Sequence, residues 1–185
     1  MARVGLTAER LTEAAAEMAD EIGFDNVTVT ALARRFGVKD ASLYSHIRNA
    51  RDLRARVAVL ALTEMADKAA TALAGRAGRD ALMAFAGAYR DYAKTHPGRY
   101  AAAQLPLDPP PAAAGRHSEL TRAVLRGYGL AEPDQTDAIR LLHGTFHGYV
   151  SLEVAGGFRH TARDVNLSWA RALEALDKVL RTWPR

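Results

Sequence analysis

Residues 28–53, TVTALARRFGVKDASLYSHIRNARDL, admit few folds. They hold two short helical patterns, about two turns each, separated by Gly37 and followed by a third pattern that opens at Asn49. Thr28 can cap the first, Leu32, Ala33 and Phe36 point inward from it, and Gly37 supplies the left-handed residue that ends it. Val38 and Leu43 read as core pegs for the next helix, about 39–46, which leaves Ser42, Tyr44, Ser45 and His46 outside. Asn49 with Asp52 three residues on is a variant of the capping box, and it predicts a long helix through about Leu73.

The same periodicity runs through the rest of the chain. Leu11, Ala14, Ala15, Met18 and Ile22 predict a helix over about 7–22, stopped by Gly23. After a bend at Gly75 and Gly78, the stripe Leu82, Phe85, Ala86, Tyr89, Tyr92 and Ala93 predicts another, broken at His96-Pro97-Gly98 because proline disfavours helix at the residue before it. A short helix through Tyr100 and Gln104 follows. LPLDPPPAAAG, 105–115, reads as a loop, either a mobile lid or a crossing connection. Helices over about 117–128, 133–155 and 165–182 complete an all-α reading with no strand pattern.

Charge now becomes informative through its distribution. The formal net charge of +4 is mild. Yet residues 11–29 carry five acids and no Lys or Arg, whereas residues 30–56 carry Arg34, Arg35, Lys39, Arg48, Arg51, Arg54 and Arg56 against Asp40 and Asp52. The basic block coincides with the paired short helices. Two such helices joined by a glycine turn and backed by a third form a helix-turn-helix, whose second helix enters the DNA major groove. Arginines would neutralise phosphates there, and the small side chains of Ser42 and Ser45 would let the backbone approach base edges. The absence of cysteine excludes disulfides and thiolate sites, and no apolar run is long enough for a signal peptide or a membrane span. The expectation is a cytoplasmic protein with no membrane association.

GVKDASLYSHIRNARDL resembles the recognition region of the TetR-type transcriptional regulators, and the resemblance extends over about residues 6–60. It implies an N-terminal three-helix DNA-binding domain over 1–50 and a helical effector-binding and dimerisation domain over 51–185. It further implies that Thr30, Lys39, Asp40, Ala41, Ser42 and Ser45 face the groove and that Tyr44, His46 and Arg48 contact phosphates. Lys39 stands where a capping Ser is usual, Ile47 where a Phe is usual, and Ala50 where a Lys commonly grips phosphate. Downstream, YRDYAKTHPGRY and LLHGTFHGYVSLEVAGGF are similar to the C-terminal domain of a subgroup known for a Trp-His-Gly signature, with His147-Gly148 matching.

These readings point to a homodimeric repressor released from a palindromic operator on double-stranded DNA by a small-molecule effector. Phe85, Tyr89, Tyr92, Tyr100 and His147 are the expected pocket residues, since an apolar cavity needs only a few polar groups to orient a ligand. Val150, Leu152, Leu167, Trp169, Leu173, Leu176 and Leu180 are the expected source of the dimer surface. The rival reading is a helical binding module or enzyme using His143, His147 and the tyrosines. His143 and His147 sit four apart, a chelating spacing, but no nearby acid completes a metal set. No catalytic triad, phosphate loop or cofactor motif is present, so neither catalytic residues nor cofactors are expected.

Overall fold

The structure is a computed structural model and describes residues 5–184. Among them nine α-helices and two short 3-10 turns make up the regular structure, without strands: α1 (Ala8–Ile22), α2 (Val29–Phe36), α3 (Asp40–Leu43), α4 (Ala50–Leu73), α5 (Gly78–Thr95), α6 (Pro97–Ala103), α7 (Ala112–Leu125), α8 (Asp134–Val154) and α9 (Val165–Arg181). The 3-10 turns are Phe24–Asn26 and Arg126–Tyr128.

Local chemistry explains the boundaries. Thr7 accepts from the Arg10 N–H at 3.3 Å and Thr28 from the Ala31 N–H at 3.1 Å, so α1 and α2 both begin on a threonine cap. Gly37 ends α2 at φ +65°, with its N–H on the Arg34 carbonyl and the Val38 N–H on the Ala33 carbonyl at 3.0 Å. That pair of bonds is the Schellman arrangement, which requires the left-handed residue glycine provides. Asn49 Oδ1 accepts from the Asp52 N–H at 2.8 Å, while Asp52 accepts from the Arg48 N–H one residue earlier than a standard capping box would place it.

Two expected boundaries move. The helix expected over about 39–46 is α-helical only at Asp40–Leu43, after which both His46 and Ile47 donate to the Leu43 carbonyl and tighten the chain into a turn. The loop expected through residue 115 ends at Pro111, because Ala112, Ala113 and Ala114 are strong helix formers and carry α7 back to the last proline.

The chain divides into two compact units, and not at residue 50. The first runs to Glu64 and takes in His96–Ala113; the second comprises Met65–Thr95 and the chain from Ala114 onward. Residues 1–4 of the expected first domain lie outside the described residues. The first unit is built on Leu11, Ala15, Leu32, Leu43, Ile47, Leu53 and Val57, all sealed from solvent. It includes α6 because Gly98 lets that helix meet the α1 backbone: a Cβ at Gly98 would lie 1.9 Å from the Ala19 carbonyl oxygen. Asp20 then accepts from the Arg99 N–H at 2.9 Å and pairs with His96 Nδ1 and the Arg99 guanidinium, each at 3.1 Å. The proline-rich segment belongs to this unit too, bordering a cleft of about 560 Å³ with Arg51, Arg54, Ala55 and Val59.

The second unit packs α5 against α8 and α9 around Leu82, Phe85, Tyr89, Tyr92, Phe146, Val150 and Trp169. Phe146 sits at the centre of an aromatic chain, 5.8 Å from Tyr89, 6.3 Å from Phe85 and 5.7 Å from Trp169 between centroids. Arg90 of α5 reaches Glu153 of α8 through two 2.7 Å hydrogen bonds and Asn166 of α9 through one at 2.9 Å. One guanidinium thus joins three helices.

Candidate nucleic-acid interface and effector cavity

Leu43 and Ile47 are buried and anchor α3 to the first unit, which fixes what that helix shows outward. Lys39, Ala41, Ser42, Tyr44, Ser45 and Arg48 are exposed, Tyr44 at 53%, with Asp40 and His46 half-buried. Thr30 is also exposed, and its hydroxyl donates to Asp40 Oδ2, tying the start of α2 to the start of α3. Ser45 donates to the Ser42 carbonyl at 2.8 Å. Of the nine residues expected at the DNA surface, seven are exposed and Asp40 and His46 are half-buried, with Thr30 and Asp40 held as a pair.

The basic block divides by partner. Arg35 is paired with Glu17 and Glu21, and Arg56 with Asp52. Arg54 lies 3.9 Å from the Phe24 ring centroid and pairs with Asp25 at 3.0 Å. These three hold the unit together. Arg34, Lys39 and Arg51 make no ion pair among the described residues, and the Arg48 side chain is 85% exposed despite its 3.3 Å contact with Asp52. Four cations are thus available to phosphates, fewer than the seven the sequence counts.

A cavity of about 50 Å³ lies inside the second unit, lined by Phe85, Tyr89, His117, Ser118, Thr121, Ile139, Leu142, His143 and Phe146. Of the five expected pocket residues it takes Phe85 and Tyr89. Tyr92 lines only an adjoining void too small for a water. His147 stacks on His143 at 6.1 Å between centroids but is not in the wall. Tyr100 is buried in the first unit, because α6 packs on α1. His117 and Thr121, four apart on α7, both fall within the helix expected over about 117–128, and helical spacing alone does not mark them as cavity-lining.

Burial, with the neighbouring His143 second, pushes the His117 pKa down from 6.5 to about 4. Desolvation lowers His143 as well, followed by the influence of His147, although the residue as a whole is exposed. Because folding keeps the His117 ring neutral, the unfolded chain takes up this proton first as pH falls below 6.5, and stability declines until about pH 4, where both states are protonated. A shift of this size corresponds to roughly 3 kcal/mol. Urea unfolding of the wild type and His117→Leu at pH 7 and pH 4 is expected to show that acid loss smaller in the variant by roughly this amount; equal losses would show that His117 is not the titrating group.

Among the described residues no cluster of three or more His or acidic groups is placed to hold a metal ion, and no helix is long and apolar enough to cross a membrane.

An all-helical chain with a helix-turn-helix presenting polar and cationic side chains, followed by a second helical unit, has the architecture of a DNA-binding regulator. Comparison with known proteins places it: the chain belongs to the TetR family of transcriptional regulators. The model described as "Bacterial regulatory proteins, tetR family" matches residues 11–57, and that described as "Tetracyclin repressor-like, C-terminal domain" matches residues 82–176. An uncharacterized HTH-type transcriptional regulator of Mycobacterium tuberculosis is 38% identical over 82% of this chain and 72% of its own length. Another, from Bacillus subtilis, is 33% identical over 98% and 92%. The fold is similar to that of ActR from Streptomyces coelicolor in complex with (S)-DNPA, at TM-score 0.73 and 18% identity, covering 97% of this chain and 98% of that one. It is similar also to BioQ of Mycobacterium smegmatis, at TM-score 0.72 and 23% identity, covering 97% and 100%.

Proposed function

We propose that the protein is a homodimeric repressor that binds a palindromic operator through α3 and is released by a small molecule bound in the second unit. The observation that carries the reading is the exposed Lys39, Ser42, Tyr44 and Ser45, held in place by the buried Leu43 and Ile47, together with Arg34, Arg48 and Arg51 of the same unit. Phosphate contacts would set affinity and position, and Ser42 would contribute to base preference. Effector binding is supported by the cavity and by the ligand complex of ActR. An effector acts only through unequal affinity for DNA-bound and released conformations. Helices α4 and α7, each with residues in both units, are covalent routes for that coupling.

The dimer surface differs from the one expected. Val150, Trp169, Leu173, Leu176 and Leu180 are buried within the chain, because the aromatic core of the second unit consumes them. What remains outside is Leu141, Leu152 and Val154 of α8, with Leu167 and Val179 of α9, between 38% and 54% exposed. Gly144 and Gly148 lie on α8 between those leucines, and a Cβ at either would meet nothing. An apolar stripe with small residues at its centre suits close approach of a second copy across a two-fold axis. The double change Leu152→Glu, Leu167→Glu is expected to convert a dimer into a folded monomer in sedimentation at micromolar protein; an unchanged mass would place the interface elsewhere.

Selection of duplexes from a random pool by the full chain tests the function. Enrichment of two inverted half-sites separated by about one helical turn supports it. A pool with no enriched sequence after repeated rounds would refute it.

A further inference from the structure

The wall of the second unit's cavity has an unusual polar inventory. The Thr121 hydroxyl donates to the His117 carbonyl at 3.0 Å and the Ser118 hydroxyl to the Ala114 carbonyl at 3.3 Å, so both hydrogens are committed to α7. Their oxygens retain lone pairs only. His117 Nδ1 is sealed from solvent and has no hydrogen-bond partner. Buried groups left unpaired are more commonly acceptors than N–H donors, which favours the tautomer with its proton on Nε2 and a lone pair on Nδ1. The remaining wall is Phe85, Tyr89, Phe146, Ile139 and Leu142, with the His143 imidazole as a further polar group.

We infer that this cavity recognises a compact, neutral, single-ring aromatic molecule bearing a hydrogen-bond donor such as a phenolic hydroxyl, with His117 Nδ1 as the principal acceptor. The inference rests on the reading of the second unit as the effector-binding one. An unpaired buried nitrogen is a standing penalty to the empty protein, and a ligand O–H removes it on binding. Charge excludes the neighbouring classes. No carboxylate lines the cavity to pair with an ammonium, and burial lowers the pKa of both wall imidazoles, His117 to about 4 and His143 below its ordinary 6.5, so neither gives a ligand carboxylate a full cation at pH 7. A volume of about 50 Å³ requires the walls to yield even for one ring, so fused multi-ring systems are disfavoured. A void too small for a water, bounded by Met65, Ala69, Ala88 and Tyr92, adjoins Tyr89 and His117.

The test compares phenol with its methyl ether, anisole, by ligand-observed NMR titration of the full-length protein, with benzoate and benzylammonium as charged controls. Phenol is expected to bind the wild type about tenfold or more tightly than anisole. That preference should fall to within about twofold in His117→Leu and return in part in His117→Asn, which restores an acceptor near the Nδ1 position. Both variants are checked for folding by circular dichroism, and Thr121→Val, which removes only a minor acceptor, keeps the comparison available if His117→Leu does not fold. Equal binding of phenol and anisole to the wild type, undiminished preference in His117→Leu, tighter binding of either charged control, or no phenol binding would overturn the inference. Release of operator DNA is measured separately. A His117-dependent donor preference without DNA release would refute the effector reading and leave this site standing, whereas releasing molecules that bind independently of His117 would do the reverse.

Discussion

Arg90→Met is expected to destabilise the protein by about 3–5 kcal/mol, more than any surface ion pair would. Arg90 and Glu153 have side chains only 10% and 13% exposed, and the two 2.7 Å bonds between them join α5 to α8 in the second unit. The hydrogen bond from Arg90 is the main reason the Glu153 pKa is lowered, and it outweighs desolvation. Removing the guanidinium leaves Glu153 with Lys94 at 3.0 Å as its cation and strips Asn166 of its donor. Much of the loss is the penalty of an under-compensated buried charge, so Arg90→Met combined with Glu153→Leu should recover a large part of it. Urea midpoints for the two single variants and the double variant measure the coupling. Additive single effects would show that the pair contributes nothing beyond packing.

Gly98→Ala is expected to reduce stability by about 3 kcal/mol, at the upper end for a single added methyl. The new Cβ would lie 1.9 Å from the Ala19 oxygen, 2.0 Å from the Ala19 carbonyl carbon and 2.5 Å from the Asp20 nitrogen. All three are backbone atoms, so no rotamer change relieves the clash, and α6 must move off α1. That movement also pulls Arg99 and His96 from Asp20, whose three contacts depend on the close approach. Gly87→Ala provides the control, since a Cβ there meets nothing and the residue lies outside the proposed dimer stripe. Comparable urea midpoints for the two variants would contradict the packing argument.

Elements governed by local rules were legible in the sequence, whereas features that depend on which helix meets which were not. Thr28, Gly37 and Asn49 announce α2, the turn and α4 because caps and left-handed residues act within a few positions. The outward side of α3 is expected from Val38 and Leu43 as core pegs, and of the two Leu43 is sealed while Val38 is half-buried. The seven-residue basic block could not be divided in advance: Arg35 finds Glu17 and Glu21 only once α2 lies on α1, and Arg54 finds Phe24 only through packing of α4. Helical spacing predicts burial of Tyr100 and of Tyr89 equally well, and cannot tell that α6 seats one in the first unit while α5 seats the other against a cavity. The expected dimer surface is narrowed for a related reason: Trp169, Leu173, Leu176 and Leu180 of α9 are buried within the chain, and of the seven residues expected there Leu152 and Leu167 stay exposed.

The claim on which the account rests is that α3 and the four available cations form a DNA-reading surface. Fluorescence anisotropy of the selected duplex and a scrambled one, titrated with wild type, Tyr44→Phe and Ser42→Ala over a range of salt concentrations, addresses it directly. Four phosphate contacts from each of two heads predict a log–log salt slope of about −7 for the wild type. Tyr44→Phe should weaken binding to both duplexes by a similar factor, whereas Ser42→Ala should narrow the difference between them. A slope near zero, or a preference between duplexes left intact by Ser42→Ala and by Ser42→Gln alike, would contradict the account.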